Sequence, residues 1–372
     1  MRPVARASSS GLRPPFLLAS CIVALAMSAA ALISMPAHAA IGVEGTRRLA
    51  MGQSTRGSAT GAAAAFSNPA ALSVKPLFEA QSYYQLGVSD RMHGLAALVV
   101  DSLNNPRLAV GLMYTFFRAS PRVYFSAVDG EARALELSLL GHQAAVPISV
   151  VMLRNWLSLG LKPKYQYLSL RYLNDDGIAD DAHSKLKSLG LDLSLLFVAG
   201  RWMRIGVVVE NLSGAHPPAV TEERDLALVG VGLDAEVSVD THELGRISAY
   251  PLSVSHGLAV YPLGRPQLSL NVDGSYDFTS FADEQRVRPI LGGSAELVLG
   301  PVPVRVGSYW DGYGGGGDDD RVFVSVGVAY VRDARVGGWG VDLGVGVSQQ
   351  VSGPNLATVV GANLGIRMHP DR

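Results

Sequence analysis

Once its first 40 residues are set aside, the chain has no cysteine; its single one, Cys21, lies in the N-terminal apolar stretch. That excludes disulfides and thiolate metal sites from the remainder. Charge is scarce as well. Asp, Glu, Lys and Arg make up 17% of the 372 residues, where a soluble domain carries about 25%. No apolar run beyond residue 40 reaches the ~18 residues that a membrane helix needs, although mean hydropathy is +0.22. His93, His142, His183, His216, His242, His256 and His369 form no H-x-x-x-H pair. The run Gly314 to Gly317 is followed by Asp318, Asp319 and Asp320 rather than by Lys-Ser/Thr, so it is no phosphate loop. No local motif announces a Ser/His/Asp or paired-acid site. The expectation is therefore a protein that is not an enzyme and has neither cofactor nor metal. A basic stripe is missing too. Taking Arg2, Arg6 and Arg13 of the N-terminal stretch from the 31 Lys and Arg leaves 28, against 32 Asp and Glu. Nucleic acid is thus not an expected partner.

What is present begins with an export signal. Residues 1–13 are basic and acid-free, Phe16 to Met35 is apolar and small, and Pro36-Ala37-His38-Ala39-Ala40 follows. Ala37-x-Ala39 is the small-x-small pattern of signal peptidase, which predicts a signal peptide over 1–39, cleaved after Ala39. Leu18-Ala19-Ser20-Cys21 is a rival lipoprotein site, and an uncleaved anchor is a third reading. The apolar sequence continuing past Cys21, and the proline and Ala-rich end, argue against them.

From Phe78 onward apolar residues recur with period 2. Leu268, Leu270, Val272, Gly274 and Tyr276 alternate with Ser269, Asn271, Asp273, Ser275 and Asp277. Val322, Val324, Val326, Val328 and Tyr330 do the same, and so do Val341, Leu343, Val345 and Val347. High hydropathy without long runs is what alternating strands produce, and in a bilayer only helices and closed barrels satisfy every backbone polar group. The strands run about 10–13 residues, long enough to span when tilted. Trp156, Trp202, Trp310 and Trp339 fall at strand ends, where interfacial girdles lie. Short turns alternate with long polar stretches at 119–131, 173–186, 213–249, 279–286 and 313–320. The reading is an all-β transmembrane antiparallel β-barrel. Its strands fall near 78–89, 92–101, 106–118, 132–146, 156–172, 187–199, 202–212, 252–262, 266–278, 287–299, 303–311, 321–332, 338–350 and 356–368. That is about 14 strands, which puts both ends on the periplasmic side and every long loop outside. The alternation of Ala227, Val229, Val231 and Leu233 leaves 16 open, if 224–235 pairs with 236–248.

Residues 40–77 are of another kind: rich in Gly and Ala, and not periodic at 2. A fourteen-stranded barrel is too wide for wall side chains to fill. A compact segment of low charge before the first strand is suited to plug it, with Asn68 bonding to lumen backbone and Pro69 setting a turn. The domains expected are a signal peptide at 1–39, a plug at 40–77 and the barrel at 78–372, with a long outer excursion at 213–249. Alternation points Lys162, Lys164, Asp192, Arg204, Asp273, Arg305 and Asp342 into the lumen. A salt-bridged wall holding the plug and a charged pore or head-group site are both open readings of them. Asn174-Asp175-Asp176-Gly177 hints at calcium, but the first acidic position would fall on Tyr172, so a solvated loop is the better reading.

Gly45-Thr46-Arg47-Arg48-Leu49-Ala50-Met51-Gly52, followed by Gly61-Ala62-Ala63-Ala64-Ala65-Phe66-Ser67-Asn68-Pro69-Ala70-Ala71-Leu72, resembles the start of the long-chain fatty-acid outer-membrane transporter family and its secretion-associated relatives. Glu210-Asn211-Leu212-Ser213-Gly214 and Pro251 to Leu258 resemble the mid-barrel region of that family. The C-terminus departs from it, ending Ile366-Arg367-Met368-His369-Pro370-Asp371-Arg372 without a terminal aromatic, and so does the excursion at 213–249. The resemblance implies a plug formed by the N-terminal segment with Asn68, Pro69 and Ala70 as its motif. It also implies passive uptake of hydrophobic molecules such as fatty acids across the bacterial outer membrane, with release sideways through the wall. The expected partners are outer-membrane lipid and a hydrophobic small-molecule ligand. Phe116, Phe117, Tyr124 and Phe125 are candidates for an apolar groove among the outer loops. The alternatives are a secretion or assembly component binding a protein through its outer loops, and a soluble periplasmic all-β protein.

Overall fold

The computed structural model describes residues 43–369 apart from 90, 104, 106, 121, 127–131, 154–155, 174–178, 213–251, 279–286, 313–319, 334–337 and 354–355, and omits the side chains of 121–137 and 170–186. Sixteen strand segments form one antiparallel sheet that closes on itself. They are β1 (Phe78–Gly87), β2 (Met92–Asp101), β3 (Leu108–Ala119), β4 (Arg122–Ser126), β5 (Ala132–Ala145), β6 (Ile148–Leu153), β7 (Leu157–Leu173) and β8 (Ala179–Ala199). After them come β9 (Met203–Glu210), β10 (Ser253–Val260), β11 (Leu268–Asp277), β12 (Arg288–Leu299), β13 (Val302–Asp311), β14 (Arg321–Arg332), β15 (Trp339–Ser352) and β16 (Thr358–Met368). Closure is made by β1 on β16, in register from Phe78 opposite Met368 to Gly87 opposite Val359.

The sixteen segments occupy fourteen wall positions. β5 and β6 share one position between β3 and β7, separated at Val146-Pro147, where proline has no N–H for the ladder. The wall stays hydrogen-bonded across the break: Gly111 N donates to Pro147 O at 2.7 Å and Val146 N to Pro163 O at 3.0 Å. β4 extends the β3–β5 hairpin beyond the barrel rim, pairing Arg122 with Glu136 through Ser126 with Ala132. The sixteen-strand alternative fails because β9 pairs directly with β10, Glu210 opposite Ser253 through Met203 opposite Val260, which leaves no wall position between them. Residues 224–248 themselves lie outside the described residues.

The strand boundaries follow the alternation closely, with three corrections, the first being that the strand expected to end at 146 continues beyond Pro147 as β6. The stretches expected as loops at 119–131 and 173–186 contain β4 and the first part of β8, so the ladder climbs past the apolar belt on these hairpins. Backbone pairing there does not depend on lipid, and the apolar period that marks a spanning strand is absent. Exposure alternates as a barrel demands. On β2 every second residue is buried, and Leu95, Ala97 and Val99 face outward. Large apolar side chains such as Leu112, Val272 and Leu364 are more than half exposed on the outside, which is the surface lipid covers. Trp156, Trp202 and Trp339, all strongly exposed, mark the rim that carries the short turns. Gly200, Gly264 and Gly300 sit in those turns with φ of 60–65°, where a side chain is disfavoured.

Candidate functional site

The N-terminal segment lies inside the barrel. It comprises a short helix Thr46–Ala50, a second at Ala62–Ser67 and a 3-10 turn Pro69–Val74. Its packing against the wall is close enough to need glycine. A Cβ on Gly307 would fall 2.3 Å from the carbonyl carbon of Met51, and one on Gly206 would fall 2.4 Å from Arg56 O. Asn68, fully buried, accepts from Ala70 N at 3.1 Å and donates through Nδ2 to Arg56 O at 3.0 Å and to wall residue Leu195 O at 3.3 Å. Pro69 opens the 3-10 turn with no N–H to satisfy. Ala70 N also donates to Ser194 Oγ at 2.9 Å, and Ala70 O accepts from Ser149 Oγ at 2.9 Å. One short stretch therefore touches β6 and β8 and holds the segment's own Arg56.

Ion pairs fix the opposite part of the segment. Arg47 Nη2 lies 2.9 Å from Glu296 Oε1, whose other oxygen accepts from Arg305 Nε at 2.6 Å. Arg56 is seated on Asp273, with both side chains buried. Lys162 and Lys164 converge on Asp192 at 2.8 and 2.5 Å, and Asp192 also accepts from Asn211 N at 2.8 Å. Asp342 bonds to Arg367, to Gln81 and to Asn363, while Arg367 reaches Glu79 across the closing seam at 2.5 Å. Glu79 in turn accepts from Ala62 N at 2.7 Å. Arg204 stands over the ring of Tyr261, 5.1 Å from its centroid. Of the seven lumen charges expected, Lys162, Lys164 and Asp192 thus form one cluster, and Asp273, Arg305 and Asp342 belong to three others. Of these clusters, those of Asp273 and Arg305 hold arginines of the segment. Glu79, Glu296, Arg47 and Arg56 were missed by sequence reasoning. Their partners lie far along the chain, and nothing local marks them.

The lumen is chemically two-sided. Ser255, Ser275, Asn271, Asp273, Glu296, Arg305, Ser325, Asp342 and Ser348 line the side of β10–β15. On the side of β2, β3 and β5 most of the inward residues are apolar, joined by Tyr83 of β1, whose other inward side chains, Glu79, Gln81 and Gln85, are polar. Tyr83, Ala96, Leu98, Val100, Ala109, Met113, Phe117 and Ala145 pack against Ala62, Ala65, Phe66 and Leu72 of the segment. Phe66 meets Tyr83 edge-on, centroids 5.0 Å apart. A signal for this sector existed: β2 is apolar on both faces, unlike the strands that follow. The aromatic candidates divide. Phe117 belongs to the inner apolar sector, whereas Phe116 faces outward beside His142, ring centroids 5.1 Å apart. The two cannot line one groove, because successive strand residues face opposite sides. Tyr124 and Phe125 lie on β4, opposite Ala134 and Arg133, and their side chains are outside the described residues. Among the described residues no group of acidic, His or Cys side chains could hold a metal.

These features define a class: a closed transmembrane β-barrel whose lumen is occupied by its own N-terminal segment. Solved structures of the same fold exist. A Pseudomonas aeruginosa FadL homologue is 13% identical, with a TM-score of 0.53 over 88% of this chain and 99% of that one. The Pseudomonas putida toluene transporter TodX is 12% identical at 0.56, over 89% and 99%. The CymD monoaromatic hydrocarbon channel is 11% identical at 0.60, over 90% and 100%. The likeness is one of fold and bears out the resemblance of the N-terminal motif at that level. No protein-family model and no curated protein matches the chain.

Proposed function

We propose that this protein is an outer-membrane channel for passive uptake of hydrophobic small molecules, with the segment before β1 as its plug. The observation that carries the reading is the apolar sector of an otherwise polar lumen. A water-filled pore has no use for Leu98, Val100, Met113 and Phe117 turned inward, whereas an apolar solute needs such a surface to leave water. The names of the fold neighbours, which include a toluene transporter and a monoaromatic hydrocarbon channel, support this class of cargo. Export on a leader cleaved after Ala39 is part of the proposal and is checked by the N-terminal mass of the protein recovered from cells.

Fatty acids and monoaromatic hydrocarbons differ in one respect that the lumen addresses. A fatty acid carries a carboxylate, and Lys162 and Lys164 share the single carboxylate of Asp192 beside the apolar sector. Uptake of labelled oleate and labelled toluene into cells with and without the barrel tests both levels. Several-fold faster entry of either solute than in barrel-free cells is expected, abolished by Leu98→Asp. Loss of oleate but not toluene entry in Lys162→Met assigns the charged cluster to a carboxylate cargo. Entry no faster than in barrel-free cells, with the folded barrel recovered in the outer membrane, overturns the function.

A further inference from the structure

The outer surface of the barrel is nearly free of charge along its apolar rows, and the exceptions are placed unevenly. On β2 and β3 the outward residues pair, row by row, as Val99 with Leu112, Ala97 with Tyr114 and Leu95 with Phe116. The register matches these as near neighbours across the two strands. The next row, at the level of the tight β1–β2 turn, is His93 opposite Arg118. Continuing around the wall, Phe116 stands opposite His142, His142 opposite Tyr167, and Tyr167 opposite Lys187 of β8. An imidazole and a guanidinium thus stand one row above Leu95 and Phe116, and a second imidazole and an ammonium continue the row of Leu95 and Phe116 toward β8, all on the side from which the long loops rise. Arg118, Lys187 and His93 are exposed.

The histidines are oriented by tyrosines on the same face. Tyr84 Oη lies 2.8 Å from His93 Nδ1, and Tyr114 Oη lies 2.6 Å from His142 Nδ1. Among the described residues Arg118 and Lys187 have no ion-pair partner, and the outward acid of β2, Asp101, lies at the far end of that strand. A girdle of tyrosine and phenylalanine is explained by the membrane interface alone. Cations on one flank of it, with no ion-pair partner among the described residues, are matched by an anion in the lipid layer beside them.

We infer that the β2–β8 flank binds a phosphorylated glycolipid of the outer leaflet, with His93 and Arg118 on one phosphate and Lys187 on another. Guanidinium and ammonium groups at an interface hold phosphate through charge-assisted hydrogen bonds. Arg118 and Lys187 are three strand spacings and two residues of register apart, about 16 Å at about 4.8 Å per strand and about 3.4 Å per residue. That spread fits a disaccharide head group phosphorylated at both ends better than a lipid with a single phosphate. The apolar rows beneath, with Leu95, Leu112 and Leu189 strongly exposed, take its acyl chains. The inference rests on the outer-membrane reading, since such a lipid must adjoin this rim, but it does not depend on what the lumen carries.

The test is native mass spectrometry of the full barrel in detergent, titrated with lipid A bearing two phosphates and with the same lipid after both are removed. Wild type is expected to retain the phosphorylated lipid, and Arg118→Gln combined with Lys187→Gln to bind it at least about tenfold more weakly, the loss expected for a single charge-assisted contact. Arg332→Gln, an exposed cation at the opposite rim, is expected to bind as wild type. A gel shift on heating confirms that each variant is folded, and His93→Gln is the substitute should the double variant not assemble. Equal binding of the dephosphorylated lipid, or unchanged binding by the folded variants, overturns the inference. Cell fractionation separates this from the underlying reading. Recovery outside the outer membrane, with phosphate-dependent binding intact, overturns the location and leaves the lipid site standing.

Discussion

Arg56 and Asp273 are joined twice: the backbone N–H of Arg56 donates to Asp273 Oδ2 at 2.8 Å, and its guanidinium lies 3.5 Å from the same oxygen. One residue belongs to the lumenal segment and the other to β11, 217 positions away, and both side chains are almost fully buried. A buried pair adds little over an apolar one, but removing a single partner strands a charge. Asp273→Ala is expected to cost the docking of the segment about 3–5 kcal/mol while leaving the wall ladder intact. Hydrogen exchange should then rise across 43–77 without rising in β11 and β12. Unchanged protection of the segment would show that this pair is not what holds it.

Glycine at the wall makes a second, independent claim on the same docking. Gly307 of β13 faces the backbone of Met51 and Gly52, and a Cβ there would meet the Met51 carbonyl carbon at 2.3 Å. Backbone cannot rotate out of the way as a side-chain tip can, so the segment must shift. Gly307→Ala is expected to cost about 1–3 kcal/mol through overpacking and to raise single-channel conductance in a planar bilayer. Gly200→Ala is the matched control. It has no neighbour within 4 Å of the added carbon, and its penalty is limited to the positive φ, about 1 kcal/mol. Equal conductance of the two variants would count against a tightly seated plug.

The wall was legible because each spanning strand must show lipid an apolar face and the lumen a different one, which stamps a period of 2 on residues such as Leu268 to Asp277. Fourteen positions could be counted from that alone. The occupant of the lumen was legible only as a composition, because its contacts are backbone to glycine or ion pairs between distant positions. Glu296 has no neighbour in sequence that names Arg47 as its partner. β4 and the first residues of β8 were missed for the converse reason: above the membrane no apolar period is required, so the hairpins continue unmarked. Phe116 and Phe117 were grouped as a groove because they are adjacent, although the strand they sit on turns them to opposite sides of the wall.

At the rim that carries the short turns, Asp333 gathers Lys75 at 3.0 Å, Arg367 at 3.3 Å and His369 at 3.1 Å. Partial burial would raise its pKa, but hydrogen bonds from His369 and Lys75 and the charges of Lys75 and Arg367 outweigh that and hold it well below the usual carboxylate range. A depressed carboxylate stabilises the fold above its unfolded pKa, near 3.9, and the contribution disappears as pH falls through the lower folded value. Asp333→Asn is therefore expected to lower the temperature at which the barrel loses its fast-migrating form at pH 7. The gap to wild type should shrink steadily below about pH 4. A gap that does not change with pH would mean that the carboxylate charge is not what links Lys75, at the base of the segment, to the C-terminal strand.

Phe117 stands on the inner wall of the proposed path. Its ring lies across Gly141, so closely that a Cβ there would stand 2.0 Å from Cε1, and it closes the apolar sector between β3, β5 and the segment. Phe117→Ala removes a phenyl ring from a lining already crowded by Tyr83, Leu98 and Met113. The expected stability cost is about 3 kcal/mol or more, set by how little such a site collapses. The space released lies along the inner wall, so entry of a bulky apolar solute should rise relative to that of a small one, with the barrel still heat-modifiable on gels. Phe116→Ala is the discriminating partner. It removes the same ring from the next residue, on the face beside His142, and should leave the ratio of bulky to small solute entry as in wild type. Were both substitutions to change that ratio alike, cargo would be passing over the outside of β3 or through the hairpin above it, and the inner sector would lose its claim as the route.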